Sequence, residues 1–174
     1  MGQNNEMKMK EYIKEYMDFL DRGKTERLCV KEMVKMAKEA GFKELTEGMK
    51  PKAGDKVFFN NRGKMLLLAK IGKEDISKGV NITAAHIDSP RLDLKPMPLY
   101  EDGDLAYLKT HYYGGIRKYQ WVTMPLSLYG VVALKDGKVI DVAIGEGDES
   151  KLVITDLLPH LAQEQSKKPL ATGI

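Results

Sequence analysis

One cysteine, one tryptophan and three histidines are all that 174 residues hold of those types. The single thiol, Cys29, closes no intrachain disulfide, so a disulfide framework is excluded. Long hydrophobic runs are also missing. The longest are short stretches such as residues 65–69, far below the roughly 20 apolar residues of a membrane-spanning helix and below the core of a secretory signal. Charge of one sign is not in excess: 28 Lys and Arg against 25 Asp and Glu leave a formal +3. The basic residues cluster no further than pairs such as Lys167 and Lys168, which argues against a nucleic-acid partner. These absences predict a cytoplasmic protein with neither membrane nor nucleic acid as a partner.

What is present is an ordinary globular composition, 43% hydrophobic and 30% charged, enough for one domain or two small ones. Met9, Tyr12, Ile13, Tyr16, Met17 and Leu20 recur at helical spacing and predict a first helix. Leu28, Val30, Met33, Val34, Ala37 and Ala40 predict a second, with Thr25 as N-cap and Gly41 as the stop. Cys29 falls inside this pattern as a small buried hydrophobe.

After Pro51 the period changes. Residues 56–59 and 64–70 flank Asn60-Asn61-Arg62-Gly63 and predict a hairpin. Residues 80–85 are almost continuously apolar, which predicts a third strand covered on both faces. The second half reads as a small, mainly β unit, with strands at 105–109, around Trp121, and at 126–134, 138–144 and 152–154. Asp136-Gly137 marks a hairpin turn, and a short helix is predicted from Asp156 to about Gln165, with Pro159 in its first turn. The fold class is α/β: a sheet flanked by helices, then the β unit.

The chemistry gathers at the end of the predicted third strand, in Ile82-Thr83-Ala84-Ala85-His86-Ile87-Asp88-Ser89-Pro90. Strand alternation projects His86 and Asp88 to one side and Ile87 to the other. Strand C-terminal ends are where open α/β sheets bind ligands. Three readings fit the pair. His86 ligates a metal while Asp88 fixes its tautomer; the pair is base and orienter for a nucleophile; or the pair is a hydrogen bond that holds a turn. His-x-Asp by itself does not choose among them.

The surrounding residues extend the pattern. His86-Ile87-Asp88-Ser89-Pro90, Arg91-Leu92-Asp93-Leu94-Lys95-Pro96 and Pro98-Leu99-Tyr100-Glu101 resemble the N-terminal portion of the M18 metalloaminopeptidases, the aspartyl aminopeptidase family. Tyr113-Gly114-Gly115, Pro125-Leu126-Ser127-Leu128-Tyr129-Gly130 and Asp156-Leu157-Leu158-Pro159-His160-Leu161 add to the resemblance. It implies a zinc-peptidase-like sheet flanked by helices, with an inserted, mainly β assembly domain. On that basis residues 1–95 are the N-terminal part of a catalytic domain, and residues 96–174 are most of a dimerisation domain. It further implies a site of two divalent ions, zinc with cobalt or manganese as alternatives, acting on peptide substrates in a homo-oligomer. His86 becomes a metal ligand and Asp88 its orienter.

The same resemblance exposes a shortage. The family's bridging aspartate, its glutamate pair with the general base, a further carboxylate and a second histidine follow the inserted domain. This sequence has no Glu-Glu pair. His111 and His160 match no metal-ligand position of the family, and surface, interface or packing roles are favoured for them. The chain is therefore expected to be incomplete, and inactive alone. After Gly114 and Gly115 the sequence departs from the family's acidic and arginine-containing stretch, which weakens an acidic-residue preference. Arg117 and Lys118 there are candidates for binding an anionic substrate group at a neighbouring subunit's site. The alternative function is a non-catalytic oligomerisation or interaction module. A serine hydrolase built on His86 and Ser89 is disfavoured, because the Gly-x-Ser-x-Gly elbow is absent.

Overall fold

The computed structural model describes residues 2–147 and 151–172. The chain divides into two units, residues 1–89 and 90–174.

The first unit opens with α1 (Gly2–Arg22) and α2 (Glu26–Glu39). The capping signals act as the sequence predicts. Thr25 is extended, at φ −135° and ψ 163°, and its hydroxyl accepts from the Leu28 N–H at 3.3 Å, satisfying one of the open donors of the first turn. At the other end Gly41 takes φ +82°. The Phe42 N–H reaches the Ala37 carbonyl at 2.9 Å and the Gly41 N–H reaches Lys38 at 3.0 Å. That paired closure needs a left-handed residue, which glycine adopts without a Cβ clash. Lys56 donates to the Ala40 carbonyl at 2.9 Å, placing a cation at the negative end of the helix.

Three strands follow: β1 (Lys43–Glu44), β2 (Lys56–Asn61) and β3 (Met65–Lys70). They form one sheet in the order β1-β2-β3, β1 parallel and β3 antiparallel to β2. The predicted hairpin is present. Arg62 and Gly63 both have positive φ, 57° and 68°, and Asn60 Oδ1 accepts from the Gly63 N–H at 2.9 Å. α2 packs on β2 and β3. The buried core is Cys29, Val30 and Ala37 from the helix with Val57 and Phe58 from the strand. Phe58 and Val30 are each 1% exposed.

The predicted third strand does not form. Residues 81–90 have no regular structure, and Val80 and Ile82 are 59% and 81% exposed. A strand needs a neighbour to take its backbone hydrogen bonds, and no described residue pairs with this segment. β3 likewise leaves Met65, Leu67 and Leu68 about half exposed.

The second unit begins with a strand that the sequence reading missed. β4 (Arg91–Asp102) pairs antiparallel with β5 (Leu105–Tyr113), and the register shifts between Leu94 and Leu99. Tyr100 and Tyr107 face each other across this hairpin and stack with centroids 5.2 Å apart. A second hairpin joins β6 (Leu128–Ala133) to β7 (Val139–Ile144) through the expected Asp136-Gly137 turn. The segment around Trp121 is a short 3₁₀ turn, Lys118–Gln120, followed by a bridge from Val122 to Ile154. Leu126 and Leu152 form a second bridge. The helix expected from Asp156 is not there: turns lead to a 3₁₀ segment, Gln165–Lys167. Leu157, Leu158 and Leu161 are 55%, 59% and 69% exposed. Short helices draw most of their stability from packing an apolar face, and these leucines stay more than half exposed. Among the described residues no helix is long and apolar enough to cross a membrane.

Candidate functional site

His86 and Asp88 meet although the strand that was to present them does not form. His86 Nδ1 lies 3.1 Å from Asp88 Oδ1 and 3.2 Å from the Asp88 backbone carbonyl oxygen. A carbonyl oxygen only accepts, so Nδ1 must carry the proton that both contacts share. The lone pair of the neutral ring is then on Nε2. The imidazole side chain is 86% exposed and the carboxylate 36%, so Nε2 faces solvent. An imidazole held by a carboxylate at one nitrogen and open at the other is the arrangement of a metal-bound histidine.

The donor set is nevertheless short. Among the described residues no three His, Cys, Asp or Glu side chains come together, whereas a zinc ion takes three or four protein donors. The described residues fit one ligand position and its support, and they do not fit a whole metal site.

Arg117 and Lys118 are adjacent in sequence but turn to different neighbours. Arg117 Nη1 donates to the Tyr119 hydroxyl at 3.3 Å, and this contact raises the guanidinium's already high pKa. Lys118 Nζ sits 5.3 Å above the Tyr112 ring. It also lines a pocket of about 250 Å³ with Leu92, His111, Ile116, Trp121 and Ile154. The sequence reading did not anticipate this pocket, whose walls come from segments far apart in the chain. His111 stands opposite Asp93 in the β4–β5 register. His160 lies in an exposed turn.

Arg91 forms a second ordered cluster. Its Nε donates to Asp93 Oδ1 at 2.7 Å, and its guanidinium carbon lies 4.1 Å from the centroid of the Tyr113 ring. Arg91 and Tyr113 are cross-strand partners, so this cluster pins the start of β4 to the end of β5. Gly114 then leaves the strand at φ +73°.

Residues 19–172 match the profile of the family described as "Aminopeptidase I zinc metalloprotease (M18)". A relative from Clostridium acetobutylicum named "Probable M18 family aminopeptidase 1" is 52% identical over 158 residues, which is 88% of this chain and 34% of the relative. The crystal structure of aminopeptidase I from Clostridium acetobutylicum superposes with a TM-score of 0.79 at 50% identity, covering 91% of this chain and 36% of that one. The crystal structure of an M18 family aminopeptidase from Thermotoga maritima gives a TM-score of 0.86 at 41% identity, covering 95% and 36%. The chain thus spans about a third of the length of the curated relatives it matches. It belongs to the M18 family of peptidases.

Proposed function

We propose that this chain is the N-terminal part of a metal-dependent aminopeptidase that removes N-terminal residues from peptides, and that His86 is one of its metal ligands through Nε2. The observation that carries the reading is the Nδ1–H of His86 held by the carboxylate Oδ1 and the backbone carbonyl oxygen of Asp88, within a chain of this family. Asp88 keeps the imidazole in the tautomer that ligates and raises its basicity. A completed site, with His86 as one ligand, would hold two divalent ions, zinc in the first instance and cobalt or manganese as substitutes, which would supply Lewis acidity toward the scissile carbonyl and a water. The other donors and the general base come from sequence beyond these 174 residues, so the isolated chain does not turn over peptides. Arg117 and Lys118 bind an anionic group of substrate at a neighbouring subunit's site. The second unit mediates homo-oligomerisation, a role supported by apolar side chains exposed on its long hairpin, such as Met97 at 92% and Leu99 at 68%.

The test uses a full-length enzyme carrying this sequence. Zinc-supported release of N-terminal residues should be abolished by His86→Ala, and peptidase activity should be absent from the 174-residue chain alone. Full activity in His86→Ala would remove the metal assignment, and turnover by the isolated chain would refute its dependence on further sequence.

A further inference from the structure

We infer that Arg91 is a positioning residue for His86: clamped on Tyr113, it fixes the direction of the peptide unit whose carbonyl holds the imidazole in its metal-binding tautomer. The inference rests on the reading of His86 as a metal ligand. His86 Nδ1 bonds to Asp88 twice, through Oδ1 at 3.1 Å and through the backbone carbonyl oxygen at 3.2 Å. That carbonyl lies in the planar peptide unit shared with Ser89, so the second bond lasts only while the chain leaving Asp88 keeps its direction.

The direction is restricted residue by residue. The ring of Pro90 locks its own φ and confines Ser89 before it to extended backbone. Arg91 then begins β4 opposite Tyr113, and the pairs from Arg91 with Tyr113 to Leu94 with Thr110 run in register before the shift. Strand alternation puts Arg91, Asp93 and the cross-strand Tyr113 on one face. There the guanidinium acts twice: Nε donates to Asp93 Oδ1 at 2.7 Å, and the guanidinium carbon stands 4.1 Å from the centroid of the Tyr113 ring. The side chains of Arg91 and Asp93 are 28% and 34% exposed, so solvent screens the pair less than a surface ion pair. A lysine could supply the charge but not the planar group that stacks. Gly114 closes the clamp. A Cβ built there would stand 3.5 Å from Pro90 Cα and 3.6 Å from Pro90 Cβ and Cγ, so the glycine backbone lies against the proline, at a φ of +73° that glycine adopts without strain. Pro90 and Arg91 are therefore held in succession, and only Ser89 separates them from Asp88.

The experiment measures zinc affinity of a full-length enzyme carrying this sequence, stripped of metal, by competition with a chromogenic chelator. Arg91→Ala should weaken zinc binding roughly tenfold, the low end for groups that support a ligand from outside. Arg91→Lys, which keeps the charge and loses the stack, should weaken it in the same direction and carries the test if the circular dichroism of Arg91→Ala shows a lost fold. Tyr113→Leu should also weaken binding, whereas Tyr113→Phe, which keeps the ring face, should retain the parent affinity. A merely structural effect is separated by a double-variant cycle: in a His86→Ala background, Arg91→Ala should cost no further affinity. Unchanged affinity in Arg91→Ala, an equal loss with and without His86, or equal affinities in Tyr113→Leu and Tyr113→Phe overturns the inference. A loss in His86→Ala with none in Arg91→Ala removes the positioning role alone, and unchanged affinity in His86→Ala defeats the ligand reading on which it rests.

Discussion

Gly23→Ala tests the packing that joins the two helices. A Cβ at position 23 would lie 2.8 Å from Cys29 Sγ and 3.0 Å from the Phe19 carbonyl oxygen, and the first of these distances is too short for any side chain to keep. The backbone itself tolerates alanine, because Gly23 does not sit at positive φ. The cost is therefore overpacking, about 1–3 kcal/mol. Cys29→Ala removes the offending sulfur together with its hydrogen bond to the Gly23 carbonyl, at about 1–2 kcal/mol for the lost bond and volume. The double variant relieves the clash, so its loss should fall short of the sum of the two by about 1–2 kcal/mol. The residual cost reflects the Phe19 oxygen, which remains close. Urea unfolding of the four proteins gives the coupling directly. Strict additivity would mean that the sulfur and the new methyl never compete for space, and the account of this junction would fail.

Three further outcomes are expected. Phe58→Ala should cost about 3–5 kcal/mol, seen as a lower urea midpoint, because Phe58 is 1% exposed and, with Val30, the most completely buried side chain among the described residues; a loss below 1 kcal/mol would contradict that burial. The Cys29 thiol has its pKa raised by burial first and by the Glu26 carboxylate second, so maleimide labelling of the native chain should be far slower than after unfolding. The sign follows from linkage: the unfolded thiol ionises before the folded one, so the contribution of Cys29 to stability is intact below its unfolded pKa and declines as pH rises toward its folded value. Asp88→Asn in the full-length enzyme should weaken metal binding about 10–100-fold, measured by competition with a chromogenic chelator, and unchanged affinity would leave the carboxylate without a role at the histidine.

The features legible in the sequence were those set by local chemistry. α1 and α2 follow from apolar spacing and from caps whose partners lie within a few residues, Thr25 with Leu28 and Gly41 with Lys38. The two tight hairpins follow from Asn, Asp and Gly at their turns. β4 lies outside the strands expected from the sequence; its Pro96 and Pro98 are accommodated because each strand of a two-stranded ribbon keeps one open edge and the register shifts between Leu94 and Leu99. The reverse error befell residues 80–85 and the segment after Asp156, where apolar character was legible and the surface to bury it against is not among the described residues. At the candidate site the sequence placed His86 and Asp88 on one side by strand alternation, and they meet without the strand, through a local contact between residues two apart. The tautomer was not legible, because it depends on the backbone carbonyl of Asp88 reaching the same nitrogen as its carboxylate.

The central claim is that His86 ligates metal through Nε2. Crystals of a full-length enzyme carrying this sequence, grown with zinc and measured on both sides of the zinc absorption edge, locate the ion independently of any activity. The account predicts an anomalous peak at roughly 2.0–2.1 Å from His86 Nε2, with Nδ1 still bonded to Asp88. A bound zinc ion with His86 outside its coordination sphere, or ligated through Nδ1, would contradict it.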